Sequence, residues 1–228
     1  MNSFKKKARI AGALYLVIIV CAGFAEGFVR GGLIVPGDAV TTAQNILASE
    51  GLFRAGLAAD LIAFLCDAVV AILLYVLLKP VSKTLSLIAA AFRLIAHPAI
   101  GSLNLLNHYG ALYVLKESVF SGTFETIQLQ STALLFMDFH NYGYLIAGAF
   151  FGIHLLILGY LLYQSELFPK VLGILIVIAS FGYLIESFGF TFYPEYETVF
   201  ATLVGFTAAI GEVALCLWLL IKGVREKQ

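Results

Sequence analysis

Asp60, Asp67, Arg93, His97, His140, His154, Glu186 and Glu212 all sit in long apolar runs of this sequence. A charged side chain in such a run costs at least ~2.5–3.5 kcal/mol on entering a bilayer and normally faces a partner or a polar interior there. These residue types do three kinds of work in that setting. They relay protons or hold a solute, they ligate a metal, or they pin helices together through hydrogen bonds.

Their spacing narrows the choice. Asp67 lies 14 residues before Val81 and Arg93 lies 12 after it. A turn at Val81 therefore brings the two to nearly the same height on adjacent antiparallel helices. An Asp67–Arg93 ion pair is the strongest contact the spacing predicts, and a purely structural pair that fixes the hairpin carries about even weight with a mechanistic one. Asp60 and Asp67, seven residues apart, share a helix face. Arg93, His97, Asn104 and His108 fall within about 60° of one another at 100° per residue. Asp60 is 21 residues from the turn and Asn104 is 23, which predicts a second rung, Asp60–Asn104, with His97 between the two. Pro98 interrupts this helix and deprives the Leu94 carbonyl of its usual donor. His140 and His154 nearly share a face, with Tyr144 and Phe151 between them. His154 falls near mid-span and approaches Asp67 and Arg93 if its helix neighbours their hairpin. Tyr183 and Glu186 project from one side of a further helix, and Glu212 sits at mid-depth of the last.

The elements that must carry these residues follow from composition. Of 228 residues, 61% are apolar and 12% charged, against about 45–50% and 25% in soluble domains. A mean hydropathy of +0.96 excludes an ordinary soluble enzyme or a disordered chain. The 14 basic and 14 acidic residues leave no net positive field for nucleic acid. Cys21, Cys66 and Cys216 are isolated in apolar runs, which argues against a disulfide framework or a thiolate metal site. Six segments of about 20 or more largely apolar residues, at roughly 8–29, 55–78, 84–110, 137–163, 168–190 and 198–221, predict an all-α, six-span transmembrane bundle forming a single domain over 1–228. The basic start at Lys5, Lys6, Lys7 and Arg9 precedes a run too long for a signal peptide and with a poor cleavage site, so the first span is expected to be retained.

Six spans place both termini on one face. Lys5, Lys6, Lys7, Arg9, Lys79, Lys83, Lys170, Lys222, Arg225 and Lys227 fall on that face, against Arg30, Arg54 and Lys116 on the other. Basic residues collect on the cytoplasmic side, so both termini are predicted to be cytoplasmic. The opposite face gathers Asp38, Glu50, Glu117, Glu125, Glu195 and Glu197. Two outer loops read as long, 30–53 and 111–136, the first with a short interfacial helix near 41–47.

Several ordered motifs span almost the whole chain. They include Phe53-Arg54-Ala55-Gly56-Leu57-Ala58-Ala59-Asp60, Ala91-Phe92-Arg93-Leu94, Phe150-Phe151-Gly152-Ile153-His154-Leu155 and Gly182-Tyr183-Leu184-Ile185-Glu186-Ser187. Together they resemble the bacterial membrane family catalogued as domain of unknown function 4386 (DUF4386). The resemblance implies an integral protein of a bacterial cytoplasmic membrane and brings no activity with it.

Function is then weighed on the residues alone. Small-solute or proton-coupled transport, or ligand binding, would use Asp67, Arg93 and His154 centrally, with Asp60 and its rung partner Asn104, Tyr183 and Glu186 towards the outside. Six helices make a small transporter, so a homodimer is a natural partner, beside the lipid bilayer and a small-molecule ligand. The alternative is an intramembrane enzyme on a lipid-like substrate. Its metal form would draw on His97, His154 and Glu186, with Asp60, but no HExxH or comparable ligand motif is present. The pairs His97/His154 and His108/His140 suggest bis-histidine haem, although the outer pair would lie beyond the hydrocarbon core, and no cofactor is predicted. A structural component whose polar residues only hold the bundle together is the remaining reading.

Overall fold

The computed structural model describes residues 3–116, 120 and 122–225. Glu117 and Lys227, assigned above to the two faces, lie outside the described residues. The first helix, α1 (Ser3–Gly23), runs through a wide π-type segment (Phe24–Arg30) into a last turn at Gly31–Leu33. It is followed by α2 (Ala39–Ala48) and α3 (Glu50–Leu78). Next comes α4 (Lys83–Leu94), which continues through a second π-type segment (Ile95–Gly101) into α5 (Ser102–Lys116). The remaining helices are α6 (Thr126–Gln164), α7 (Lys170–Phe192) and α8 (Glu197–Ile221), the last entered through the single turn Pro194–Tyr196.

Six stretches are long and apolar enough to cross a membrane: 3–33, 50–78, 83–116, 126–164, 170–192 and 194–221. The chain is an all-helical, multi-pass membrane protein. Its exterior agrees with that, since Leu65, Leu103, Leu106 and Phe206 are each more than 60% exposed, which lipid tolerates and water penalises. Its interior holds Asp60, Asp67, Arg93, His108, His140 and His154, each at most 1% exposed.

The ends of three spans differ from the hydropathy reading. The first helix continues to Leu33 and takes Arg30 into its body, where the residue is buried rather than in a loop. Most of 111–136 is helical, because α5 runs to Lys116 and α6 begins at Thr126. Hydropathy locates the part of a helix that faces hydrocarbon, whereas Gln128, Gln130 and Ser131 are compatible with further turns outside it. The short helix expected near 41–47 is α2. Asp38 caps it, accepting from the Thr41 N–H at 2.9 Å and the Thr41 hydroxyl at 2.6 Å.

Turns follow from local chemistry. Lys79-Pro80 ends α3, since proline supplies no N–H to a continuing helix, and Ser82 caps α4 by accepting from Leu85 N at 3.3 Å. Pro98 lies within the second π-type segment. The wide turn accommodates a ring that would clash with the carbonyl four residues back in a regular helix.

The chain divides into two compact units, one of residues 1–17, 65–99 and 145–228 and one of residues 18–64 and 100–144. In the first, α6 and α7 approach at backbone contact. A Cβ on Gly173 would lie 2.6 Å from the Gly159 carbonyl oxygen and 2.7 Å from the Tyr163 nitrogen. Small residues permit such approach between membrane helices, where packing rather than hydrophobicity drives association. In the second unit, Val29, Ile46, Phe53, Ala111, Leu112 and Met137 form one apolar cluster, and Ala63, Phe64 and Leu105 another.

Candidate functional site

The polar side chains form two networks, one in each unit. In the first unit, Asp67 on α3 and Arg93 on α4 pair as their spacing predicts. Arg93 Nε and Nη2 both donate to Asp67 Oδ1, at 2.9 and 2.5 Å. The second carboxylate oxygen faces His97 Nδ1 at 3.4 Å. Arg93 Nη1 reaches His154 Nε2 at 3.1 Å, and His154 Nδ1 reaches the Ala89 carbonyl at 2.8 Å. Guanidinium only donates and a carbonyl only accepts. Those two contacts fix the tautomer: His154 carries its proton on Nδ1 and accepts at Nε2. The guanidinium is also sandwiched by aromatic rings, 4.8 Å from the Tyr15 centroid and 5.1 Å from that of Phe151.

The same network continues to α8. Glu212 accepts hydrogen bonds from the Tyr15 hydroxyl at 2.6 Å and the Tyr183 hydroxyl at 2.8 Å. Its two donors are phenols, and it makes no ion pair among the described residues. Counted formally, Asp67 and Glu212 set two negative charges against the one positive charge of Arg93. Glu186, half-buried, lies within electrostatic reach of Tyr183. A groove of about 550 Å³ in this unit is lined by Leu85, Leu156, Tyr160, Gly173 and Val177 and by none of the network residues.

In the second unit Asp60 finds a different partner from the one its spacing suggested. Arg30 Nη1 donates to Asp60 Oδ2 at 2.6 Å, and Arg30 Nε donates to Glu26 at 2.7 Å. The Tyr144 ring lies 5.4 Å from that guanidinium. Asn104 instead ties α5 to α6. Its Nδ2 donates to the His140 carbonyl at 2.7 Å, while His140 Nδ1 donates to the Asn104 carbonyl at 3.1 Å. Gly143 makes room for this, since a Cβ there would collide with the Asn104 amide. His108 Nε2 donates to the Phe53 carbonyl at 2.9 Å, and the two rings stack 4.0 Å apart. An Asp60–Asn104 rung was expected because both residues have matching depth. The extension of the first helix brings a full positive charge to Asp60, and a buried carboxylate gains more from a cation than from an amide.

Of the residues singled out from sequence, Asp67, Arg93, His97 and His154 come together, with Tyr183 joined through Glu212 and Tyr15. Asp60 and Asn104 belong to the second network. His97, His154 and Glu186 are not gathered as a ligand set: both nitrogens of His154 are engaged, and the Phe151 ring lies 4.6 Å from His97 and 5.5 Å from His154. Sequence reasoning missed Arg30, which read as a loop marker beside Gly31-Gly32, and Tyr15, whose hydroxyl is indistinguishable in hydropathy from any span tyrosine. It noted Glu212 without giving it a partner.

Residues 10–223 match the family described as "Domain of unknown function (DUF4386)". The chain belongs to this family. DUF4386 thus takes in both networks and most of all six spans, and its description carries no activity. An "Uncharacterized protein" of Archaeoglobus fulgidus (strain ATCC 49558 / DSM 4304 / JCM 9628 / NBRC 100126 / VC-16) is 35% identical over 158 residues, covering 69% of this chain and 76% of the relative. No solved structure matches the chain.

Proposed function

We propose that this DUF4386 protein moves protons across its membrane, alone or with a solute, along a path through the first network. The observation that carries the reading is Glu212, a carboxylate within a membrane span held by two phenol hydroxyls rather than by a cation. Ionisable residues in spans that line a relay exchange protons along hydrogen-bonded chains. Tyr183, Glu212 and Tyr15 supply such a chain, and Tyr15 brings it to the Arg93 guanidinium. Asp67, His97 and His154 are the groups through which Arg93 would respond to the charge state of Glu212. The basic-residue distribution supports cytoplasmic termini in a cytoplasmic membrane, and a homodimer would give a bundle of six spans a larger enclosed surface.

The test is proton entry into vesicles holding the full chain, with a pH-sensitive dye inside and a potassium diffusion potential as the driving force. Vesicles with the wild-type chain should acidify at least tenfold faster than protein-free vesicles. Glu212→Gln should return the rate to the protein-free level while the protein stays monodisperse and helical. Equal rates for wild type and Glu212→Gln would refute the assignment.

A further inference from the structure

The second network holds three lone pairs with no close hydrogen bond. His108 donates through Nε2 to the Phe53 carbonyl, so in the neutral ring its Nδ1 is an unprotonated acceptor. His140 donates through Nδ1 to the Asn104 carbonyl, so its Nε2 is likewise an acceptor. Asp60 spends Oδ2 on Arg30. The three remaining atoms, Asp60 Oδ1, His108 Nδ1 and His140 Nε2, are buried and make no close hydrogen bond, although the Tyr144 hydroxyl interacts with the Asp60 carboxylate. The residues are 0%, 0% and 1% exposed. One ligand atom from each lies within 4.8 Å of those from the other two, and the imidazole rings stand edge to face at 5.5 Å.

Two buried imidazole acceptors without a donor, beside a carboxylate that the Tyr144 hydroxyl reaches only loosely, suit a common positive partner. A single water has two protons and satisfies two of the three. A cation satisfies all of them. We propose that Asp60, His108 and His140 form a binding site for one divalent transition-metal ion of the zinc–iron class. Two imidazoles and one carboxylate suit that class and not magnesium or calcium, which prefer all-oxygen sites.

The surrounding groups are arranged as in metal sites. Each histidine donates its other N–H to a backbone carbonyl, which fixes the tautomer and aims the free nitrogen inwards. Arg30 holds the Asp60 carboxylate in place through Oδ2. Glu26 and Asp60 neutralise Arg30 with one negative charge to spare, which offsets half the charge of a divalent ion. Ligand bonds of about 2.0–2.1 Å require the three atoms to close to about 3.4 Å of one another when an ion binds. Three protein ligands leave a fourth position for water or a substrate atom. This proposal is independent of the proton path, because it shares no residue with the first network.

The test uses the full chain in detergent, stripped with chelator, desalted and titrated with cobalt(II) as a visible-absorbing probe. One cobalt per chain should bind and be displaced by zinc. Asp60→Asn, His108→Gln and His140→Gln should each weaken binding by more than the 10–100-fold that loss of an outer-shell hydrogen bond causes. His97→Gln, in the other network, should bind as wild type does. X-ray absorption at the zinc edge of the unmutated chain checks the site without any variant, with two imidazoles and one oxygen ligand as the expected set. A helical, monodisperse wild type that binds no more cobalt than detergent alone would overturn the proposal and leave a buried water as the occupant. Variants that bind as wild type does, or an absorption spectrum lacking imidazole scattering, would overturn it equally.

Discussion

Neutralising one member of the Asp67–Arg93 pair should be far more damaging than removing both. The two side chains are 1% and 0% exposed, so solvent screening does not discount their interaction as it does at a surface. Asp67→Asn leaves the Arg93 guanidinium buried among Tyr15, Phe151 and His154 with only a neutral amide in place of its carboxylate. Breaking a buried pair in this way costs about 3–5 kcal/mol, which is a loss of roughly two to three and a half decades in the folding constant. Arg93→Met strands Asp67 instead, and also empties the position between the two rings. His97 Nδ1 remains 3.4 Å from Asp67 Oδ2 as a polar neighbour, so this variant should fall at the lower end of that range. The double variant Asp67→Leu/Arg93→Met removes both charges and fills the space with apolar volume, a change that is often neutral or stabilising by 1–4 kcal/mol. Reversible unfolding in mixed detergent–dodecyl sulfate micelles, followed by helical circular dichroism, gives the three values. Coupling between the sites should exceed about 3 kcal/mol in the double-mutant cycle. If the two single losses simply add, the pair does not hold this hairpin and the inference from depth matching fails.

Gly173→Leu should separate α6 from α7, because its side chain would have to enter space occupied by the Gly159 carbonyl and the Tyr163 backbone; overpacking costs typically about 1–3 kcal/mol, read as a lower unfolding midpoint in the same assay. Gly143→Ala should displace Asn104 and break its reciprocal bonds with His140, lowering amide-exchange protection in α5 and α6 around those residues and leaving Leu172–Ile176 unchanged. The Thr41 hydroxyl and N–H hold the Asp38 carboxyl below its usual range. A lowered folded-state value means the cap is fully effective above the unfolded pKa and is lost as pH falls through the folded one, so protection of α2 should decline on the acid side and should do so no longer in Asp38→Asn.

What the sequence disclosed depended on which quantity decided each contact. Asp67 and Arg93 flank a tight turn fixed by Lys79-Pro80 and Ser82, so counting residues along two adjacent helices was sufficient to pair them. The His154 contact was conditional on helix neighbours, which residue counting does not reveal, and the structure supplies the condition in the first unit. Arg30 failed for a different reason. Hydropathy ended the first span near the Arg30-Gly31-Gly32 cluster, yet a helix is closed by its backbone hydrogen bonds, and these continue to Leu33. Once Arg30 became a helix residue, Asp60 had a cation within reach and Asn104 was released to bond His140. A single span boundary thus reassigned three side chains.

The two networks differ in a way that residue type alone would hide. His154 has one nitrogen accepting and one donating, and its hydrogen-bonding capacity is complete. His108 and His140 are each half-used, and their unused nitrogens are buried beside a carboxylate oxygen that makes no close hydrogen bond. A satisfied buried network is rigid and specifies packing, whereas an unsatisfied one costs free energy until something enters it. In the first network Glu212 and its two phenols are the part not locked by a salt bridge, and Asp67 Oδ2 is a buried oxygen that no close hydrogen bond fills. The second can act by binding alone. If the cobalt and proton-flux measurements divide as this implies, Asp60→Asn will abolish metal binding and spare proton entry, and Glu212→Gln will do the reverse. A single substitution that removes both would mean that the networks work as one site, and the separation argued from their hydrogen bonds would be wrong.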